Sequence, residues 1–386
     1  MNQLDSIIVG QRRRRGFSLI ELMVGLAVGL VLVLVVVQVL SFAEGQKRST
    51  TTGADAQVSG ALGLYAIQRD VQMAGYGFAS NPGALGCALA YSYNGAAIIG
   101  PVAGFPTALV PVTITQGAGG APDSIRVLSS DKTSAAVPTR IIPPGYDPAM
   151  PAKATAFPVT SALGVKKGDL LVAVTDSTVP CGLFQATADG AGGSVPRADD
   201  VAGWNATGKP ATAYGDGSYL VNLGRLTDHL YDVNTTTSAL RQQVFSVSTG
   251  SYADGDIQPG IVQLKAMYGV CSTCTATATG PIDSYTTTTP TTNAGWIQVT
   301  AIRVAVVARS AQFEKDGVQS VDQVPTSGGV LWDVGTAAAI SGTTTTTCHG
   351  ASKCVIIKLD GAADWQNYRY KVYDMVIPLR NLVWKS

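Results

Sequence analysis

Charge is scarce in this chain, and histidine is nearly missing. Over 386 residues, Asp, Glu, Lys and Arg make up 14 %, the formal net charge is +1, and there are two histidines, His229 and His349. So small a net charge gives no sign of a general nucleic-acid surface, for which a clustered basic face is expected. The histidines stand in no Ser-His-Asp order, and there is neither an HExxH nor a Walker-type glycine loop. No catalytic constellation is therefore left on which to build an enzyme. Gly215-Asp216-Gly217 and Asp254-Gly255-Asp256 lack the spacing of a calcium-binding EF-hand and read as tight turns. His229 sits alone in a strand pattern and reads as structural. No cofactor and no metal are assigned. Lys and Glu are sparse while glycine (43 residues), serine and threonine abound, which suits a loop-rich β domain better than a helical one.

What the chain does have is one long apolar run. A basic cluster, Arg12 to Arg15, ends in Gly16, and apolar residues follow from Phe17 to Leu40 with Glu21 as the one acid. A helix over that run is about 36 Å long, enough to cross a hydrocarbon core of roughly 30 Å. A secretory signal has a shorter apolar region and a small-residue cleavage site, neither of which is present. A buried core helix does not fit the arginine flank. A plain membrane anchor fits everything but Glu21, because a carboxylate in an apolar span is costly unless it finds a partner. The arginines place the N-terminus in the cytoplasm and everything beyond about Leu40 outside it. Six cysteines in an oxidising compartment read first as disulfides.

Gly16-Phe17-Ser18-Leu19-Ile20-Glu21, in register with the basic cluster and the apolar run, resembles the class III signal of type IV prepilins and of type II secretion pseudopilins. The resemblance implies that a prepilin peptidase cuts after Gly16 and methylates Phe17. It also implies that the helix persists as an anchor and later as fibre core, and that Glu21, the fifth mature residue, serves assembly. Ile67-Gln68-Arg69-Asp70-Val71-Gln72-Met73-Ala74-Gly75-Tyr76-Gly77, followed by Cys87, resembles the end of the spine helix in the PilW family of minor pilins. Val299 to Ser310, and Tyr368 to Tyr373 followed by Leu379-Arg380-Asn381, resemble strands of that family. The chain departs from the family at Cys271, directly after Tyr268-Gly269-Val270, where an acid is expected.

Val58, Ala61, Leu64, Ile67, Val71 and Ala74 are spaced by three or four residues, which predicts an amphipathic second half of the spine facing the core. Glycines predict an interruption near Gly45 and Gly53 and an end at Gly75 to Gly77. Short strands are expected at 123–128, 168–175, 181–187, 217–223, 229–233 and 240–247. Ile261 to Tyr268 is open between strand and helix. Pro101 to Pro111 and Pro138 to Pro158 read as irregular, and the threonine runs 286–289 and 343–347 as loops. Cys271-Ser272-Thr273-Cys274 fits a redox pair, half a zinc site with Cys348, His349 and Cys354, or a structural disulfide, and an oxidising compartment favours the last. Cys271–Cys274 and Cys348–Cys354 are sterically simple pairs, which leaves Cys87 with Cys181, though six cysteines allow many connectivities.

The expected fold class is α+β: a long N-terminal pilin spine helix, half transmembrane, packed on an antiparallel β-rich globular domain. Its segments are a leader (1–16), a transmembrane helix (17–40), an amphipathic second half of the spine (41–76) and a periplasmic or exported domain (77–386). The expected role is that of a minor pilin, not an enzyme, which primes a type IV pilus, joins its tip and supports motility, adhesion or DNA uptake. The other reading is a J-type minor pseudopilin of type II secretion. The implied partners are other minor pilins, the major pilin, the prepilin peptidase and the inner-membrane assembly platform, with a tip adhesin as a further candidate. The implied location is the inner membrane, single pass, and then the pilus on the cell surface.

Overall fold

One α-helix runs from Leu19 to Met73 in the computed structural model of the protein. The structure describes residues 16–93, 96–98, 105–132, 137–200, 203–206, 209–314, 323–324, 327–336, 339–359, 361 and 364–383. The leader with its Arg12–Arg15 cluster, and Pro101 of the expected irregular stretch, lie outside the described residues. The expected interruption at Gly45 and Gly53 does not occur. No proline precedes Pro82, and an isolated glycine costs a helix only about 1 kcal/mol, too little to open the backbone ladder. The chain divides into two compact units, Met1–Thr52 and Gly53–Ser386. In the first, Leu19–Gly45 is apolar and none of it is buried.

In the second unit the helix buries Ala56, Gly60, Gly63, Leu64, Ile67, Val71 and Ala74. Val58 and Ala61, expected on that face, point outward instead, Val58 being 58 % exposed. Two glycines take the contact positions because the neighbouring strands come close. A Cβ on Gly60 would lie 2.2 Å from the Tyr373 ring, whereas one on Gly63 would meet Leu240 at 3.5 Å. The helix ends at Met73, and Gly75 follows with φ 77°, a left-handed conformation that glycine adopts without a Cβ penalty. The Gly75 amide donates to Leu128 O at 2.8 Å, and the Asn381 side chain donates to Met73 O and Ala74 O at 3.2 and 3.0 Å. These carbonyls have no partner within the helix.

Two five-stranded sheets carry the helix. The first is antiparallel throughout, in the order Ser251–Pro259, Ala239–Ser246, Thr227–Asn234, Ser124–Ser129, Val112–Thr115. The second runs Ala339–Ser341, Ser284–Thr286, Ile261–Val270, Val299–Arg309, Tyr370–Pro378, and its single parallel pair is the first two strands. Val299–Arg309 is buried on both faces. Ile302, Val304, Val306 and Ala308 share a core with Leu64, Ile67 and Val71 of the helix, while Ala305 and Val307 pack with Val330, Trp332 and Ile357 of a four-stranded sheet behind. Burial on two sides explains why this strand reads as a nearly continuous apolar run. A six-stranded sheet built from residues 89–224 encloses a third core around Tyr146, Phe157 and Phe184.

The expected strands are present to within two or three residues of their ends, and Ile261–Val270 is a strand paired along Val299–Arg309. Three expectations fail. Pro138–Pro158, read as irregular, contains the short strands Thr139–Arg140 and Ala156–Pro158, held by pairing with Tyr219–Gly224 and Ser194–Pro196. Asp254-Gly255-Asp256 is not a turn but the middle of the exposed edge strand Ser251–Pro259. Gly and Asp are poor strand formers, yet the pairing with Ala239–Ser246 and an Arg241–Asp254 contact of 3.3 Å hold them there. Part of the second threonine run, Thr345–Cys348, is a strand as well, paired with Ser352–Lys358.

Candidate functional site

Gly16, Phe17 and Ser18 directly precede the helix. The Ser18 carbonyl accepts the Leu22 amide at 3.1 Å, and the Ser18 amide donates to Glu21 Oε2 at 3.3 Å. This is the glutamate half of a capping box: the acid at the third helical position satisfies an amide that the helix leaves orphaned. Glu21 also lies at the positive end of the helix dipole. It therefore has a local partner before any other subunit is invoked. Phe17 is 87 % exposed, and no atom lies within 4 Å of a Cβ built on Gly16. From Leu19 to Phe42 the large apolar side chains are exposed on every face of the helix. Such a surface is unfavourable in water, and Leu19–Gly45, 27 residues, is long and apolar enough to cross a membrane.

The second half of the spine carries one acid turned toward the domain. Asp70 Oδ2 accepts the Tyr231 hydroxyl at 2.5 Å, lies 2.5 Å from His229 Nδ1 and accepts Gln242 Nε2 at 3.3 Å. Gln242 also reaches Tyr231 Oη at 2.8 Å. His229 and Tyr231 are on Thr227–Asn234, Gln242 on the neighbouring strand, and all three project from the face that meets the helix. Burial opposes the Asp70 charge, but the hydrogen bonds of His229 and Tyr231 outweigh it and hold the carboxyl below its ordinary value. Burial, followed by the Asp70 charge, pushes the Tyr231 hydroxyl up, so it stays a donor. On the opposite face of the same strand, burial raises the Asp228 carboxyl despite Arg126 and the Tyr252 hydroxyl beside it. The sequence gives no sign of the Asp70 clasp beyond a lone acid on an amphipathic helix and a lone histidine in a strand.

The cysteines form three disulfides: Cys87–Cys181, Cys271–Cys274 and Cys348–Cys354, with Cα separations of 5.8, 5.4 and 5.9 Å. Cys87–Cys181 ties the segment that leaves the spine to the six-stranded sheet, where Leu89 pairs with Cys181. Cys271 and Cys274 close a turn after Ile261–Val270, with no helix N-terminus beside them to favour a thiolate. Asp333, Cys348 and Cys354 place ligand atoms within 4.8 Å of one another, the one such group among the described residues. The two sulfurs are bonded to each other, so the donor set that zinc requires is not formed.

Residues 229–381 match the family described as Type IV Pilus-assembly protein W, and residues 11–37 match the Prokaryotic N-terminal methylation motif. No curated protein and no solved structure matches the chain. The first match opens at His229 of the Asp70 clasp and takes in most of the strands against which the spine packs, leaving out Ser124–Ser129 and Val112–Thr115. The second takes in Gly16, Phe17 and Glu21. The six-stranded sheet lies outside both. One polypeptide thus carries a prokaryotic N-terminal methylation motif at its head and a region of the PilW pilus-assembly family in its C-terminal part, and the two matches together support a PilW-family pilin.

Proposed function

We propose that this protein is a minor pilin that primes assembly of a type IV pilus and is built into its tip. The observation that carries this reading is the register of Gly16, Phe17 and Glu21 at the head of an apolar helix exposed on every face. A peptidase cutting after Gly16 frees a positive amine at Phe17, four residues before Glu21 and directly before the Ser18 cap. The amine then competes for the carboxylate that the Ser18 amide holds in the uncut chain. In a fibre, the same carboxylate faces the Phe17 amine of a neighbouring subunit, which fixes the axial register between helices. Residues 1–16 act as the leader, 17–40 as the anchor, 41–76 as the rest of the spine and 77–386 as the exported domain, with the N-terminus cytoplasmic. The partners are other minor pilins, the major pilin, the prepilin peptidase, the assembly platform and a tip adhesin, and the role is structural, serving motility, adhesion or DNA uptake. The match to the pilus-assembly family supports a pilus over a secretion pseudopilin.

The test is N-terminal mass spectrometry of membrane and sheared-pilus fractions. N-methylated Phe17 is expected, and Gly16→Leu should leave the leader on. Glu21→Ala should insert and be cut, yet co-purify poorly with other pilins and lower the number of surface fibres. An intact Met1 start in piliated cells, or full piliation by Glu21→Ala in a deletion strain, contradicts the reading.

A further inference from the structure

The outer face of the spine in the second unit is apolar where it meets water. Every residue from Asp55 to Met73 is described, and among them Val58, Leu62, Tyr65 and Met73 are between 50 and 62 % exposed. With Arg69 they stand four, three, four and four residues apart. That spacing sets them in one stripe along the helix, opposite the buried Gly60, Ile67 and Val71. A helix laid on a domain ordinarily turns polar side chains outward. Here the other exposed positions are Asp55, Gln57, Ala61 and Arg69. Large apolar side chains aligned in this way mark a contact surface, unlike the scattered single ones that any protein exposes. Lipid does not cover the stripe. The apolar span ends at Gly45, and Lys47, Arg48 and Asp55 lie between it and Val58, charges that hydrocarbon does not take up.

The stripe is as narrow as a coiled-coil seam, and its steps of three and four residues suit the side chains of a second helix. Arg69 decides whose helix that is. Its side chain is 71 % exposed, and its Nε stands 3.6 Å from Oδ1 of Asp70, whose other oxygen is held in the clasp. In a parallel second copy in register, Arg69 would face Arg69, and like charges oppose that pairing. A copy shifted by two heptads would bring Asp55 to Arg69 but leave Val58, Leu62 and Tyr65 uncovered. We propose that this stripe docks the spine helix of a different pilin subunit, parallel to its own, with an apolar seam and an acid that meets Arg69. Tyr65 sits at the middle, where a large ring buries apolar area while its hydroxyl reaches the wet rim. The proposal rests on the pilin reading, which supplies helices anchored from one side of the membrane, and adds to it the surface and the chemistry of the neighbour.

The experiment installs p-benzoylphenylalanine in place of Tyr65 in the full chain, in piliated cells, and maps the products of irradiation by mass spectrometry. The expected product joins position 65 to a helix of another chain that carries a prepilin signal, with an Asp or Glu about one turn from the linked residue. Leu62→Glu, which puts a charge into the seam, should lower the yield at least about tenfold. Arg69→Glu should lower it about fivefold, and Arg69→Lys should keep it within about twofold. Both side chains point to water in the isolated chain, so denaturant midpoints should stay where they are. A cross-link to residues 55–73 of a second copy, to lipid or to a non-helical surface overturns the proposal. So does the absence of any cross-link, or equal yields from Arg69→Glu and Arg69→Lys. The N-terminus is read in the same cells: N-methylated Phe17 beside any of these results removes the docking surface alone, whereas an intact leader removes the pilin reading.

Discussion

Removing the Asp70 carboxylate tests whether the clasp holds the spine to the domain. In Asp70→Ala, Tyr231, His229 and Gln242 lose their shared acceptor. A hydrogen bond to a charged group contributes about 1.5–3 kcal/mol, but three donors on one oxygen do not add. The side chains are 12 % (Asp70) and 18 % (His229) exposed, so water partly replaces what is lost, and the expected destabilisation is about 2–4 kcal/mol. The pH dependence has a definite sign. The Asp70 carboxyl is held below its ordinary value of 3.8, so its contribution is complete above that value and disappears as pH falls through the lower folded value. Asp228 acts oppositely. Its raised carboxyl adds stability at low pH that is lost as pH rises through its folded value, and it cancels when wild type and variant are compared at one pH. The assay is denaturant unfolding of the oxidised full chain in detergent, followed by the fluorescence of buried Trp204, Trp296, Trp332 and Trp365. The gap between the two proteins should be wide near pH 6 and narrower at about pH 3. In a double-mutant cycle, Tyr231→Phe should show coupling to Asp70→Ala. Equal midpoints near pH 6, or a gap that does not narrow in acid, would refute the clasp.

Three further outcomes follow from the packing. Gly60→Ala drives a methyl into the Tyr373 ring, 2.2 Å away, and should cost about 1–3 kcal/mol. Gly63→Ala meets only ordinary contacts at 3.5 Å and should be neutral or add up to about 1 kcal/mol from helix propensity; denaturant midpoints that reverse this order would contradict the close approach of strand and spine. Cys87→Ala with Cys181→Ala opens a loop of sequence separation 94, worth roughly 4–5 kcal/mol as an upper figure in the chain-entropy model. The Cys271 and Cys274 pair, three apart, should matter far less; equal losses in thermal unfolding would show that loop closure is not what the long bridge contributes.

What was legible in the sequence is what repeats or accumulates along it. The anchor is a run of aliphatics, the signal is six adjacent residues, and Val299–Arg309 is apolar at nearly every position because both its faces are covered. Short strands between glycines announce themselves in the same way. The contact face of the spine was only half legible: Leu64, Ile67, Val71 and Ala74 are buried as their spacing predicts, but a periodicity of aliphatics cannot see that glycines at 60 and 63 mark the closest approach. The clasp was hidden because Asp70 and His229 lie 159 positions apart, and hydrophobic periodicity does not report pairs between distant segments. The edge strand Ser251–Pro259 was hidden for another reason. Its exposed acids and glycine carry a turn's composition, and only the neighbouring strand makes it extended.

The cap on the spine also bears on the order of folding. Asn381, which closes the helix at Met73, lies 308 positions after it in the chain. Ile377, which shares the core of Leu64, Ile67 and Val71, comes scarcely earlier. At about 5–20 residues per second, that stretch takes on the order of 15–60 s to synthesise. For that interval the spine is complete as a peptide, yet its inner face has no finished partner, and Met73 O has only the Tyr76 amide of the local turn, without the Asn381 side chain. Nascent subunits must therefore be sheltered while they wait. A chain cut short before the 370–378 strand would keep its N-terminal helix while presenting an uncovered apolar stripe, a built-in mark by which a protease can tell defective copies from finished ones.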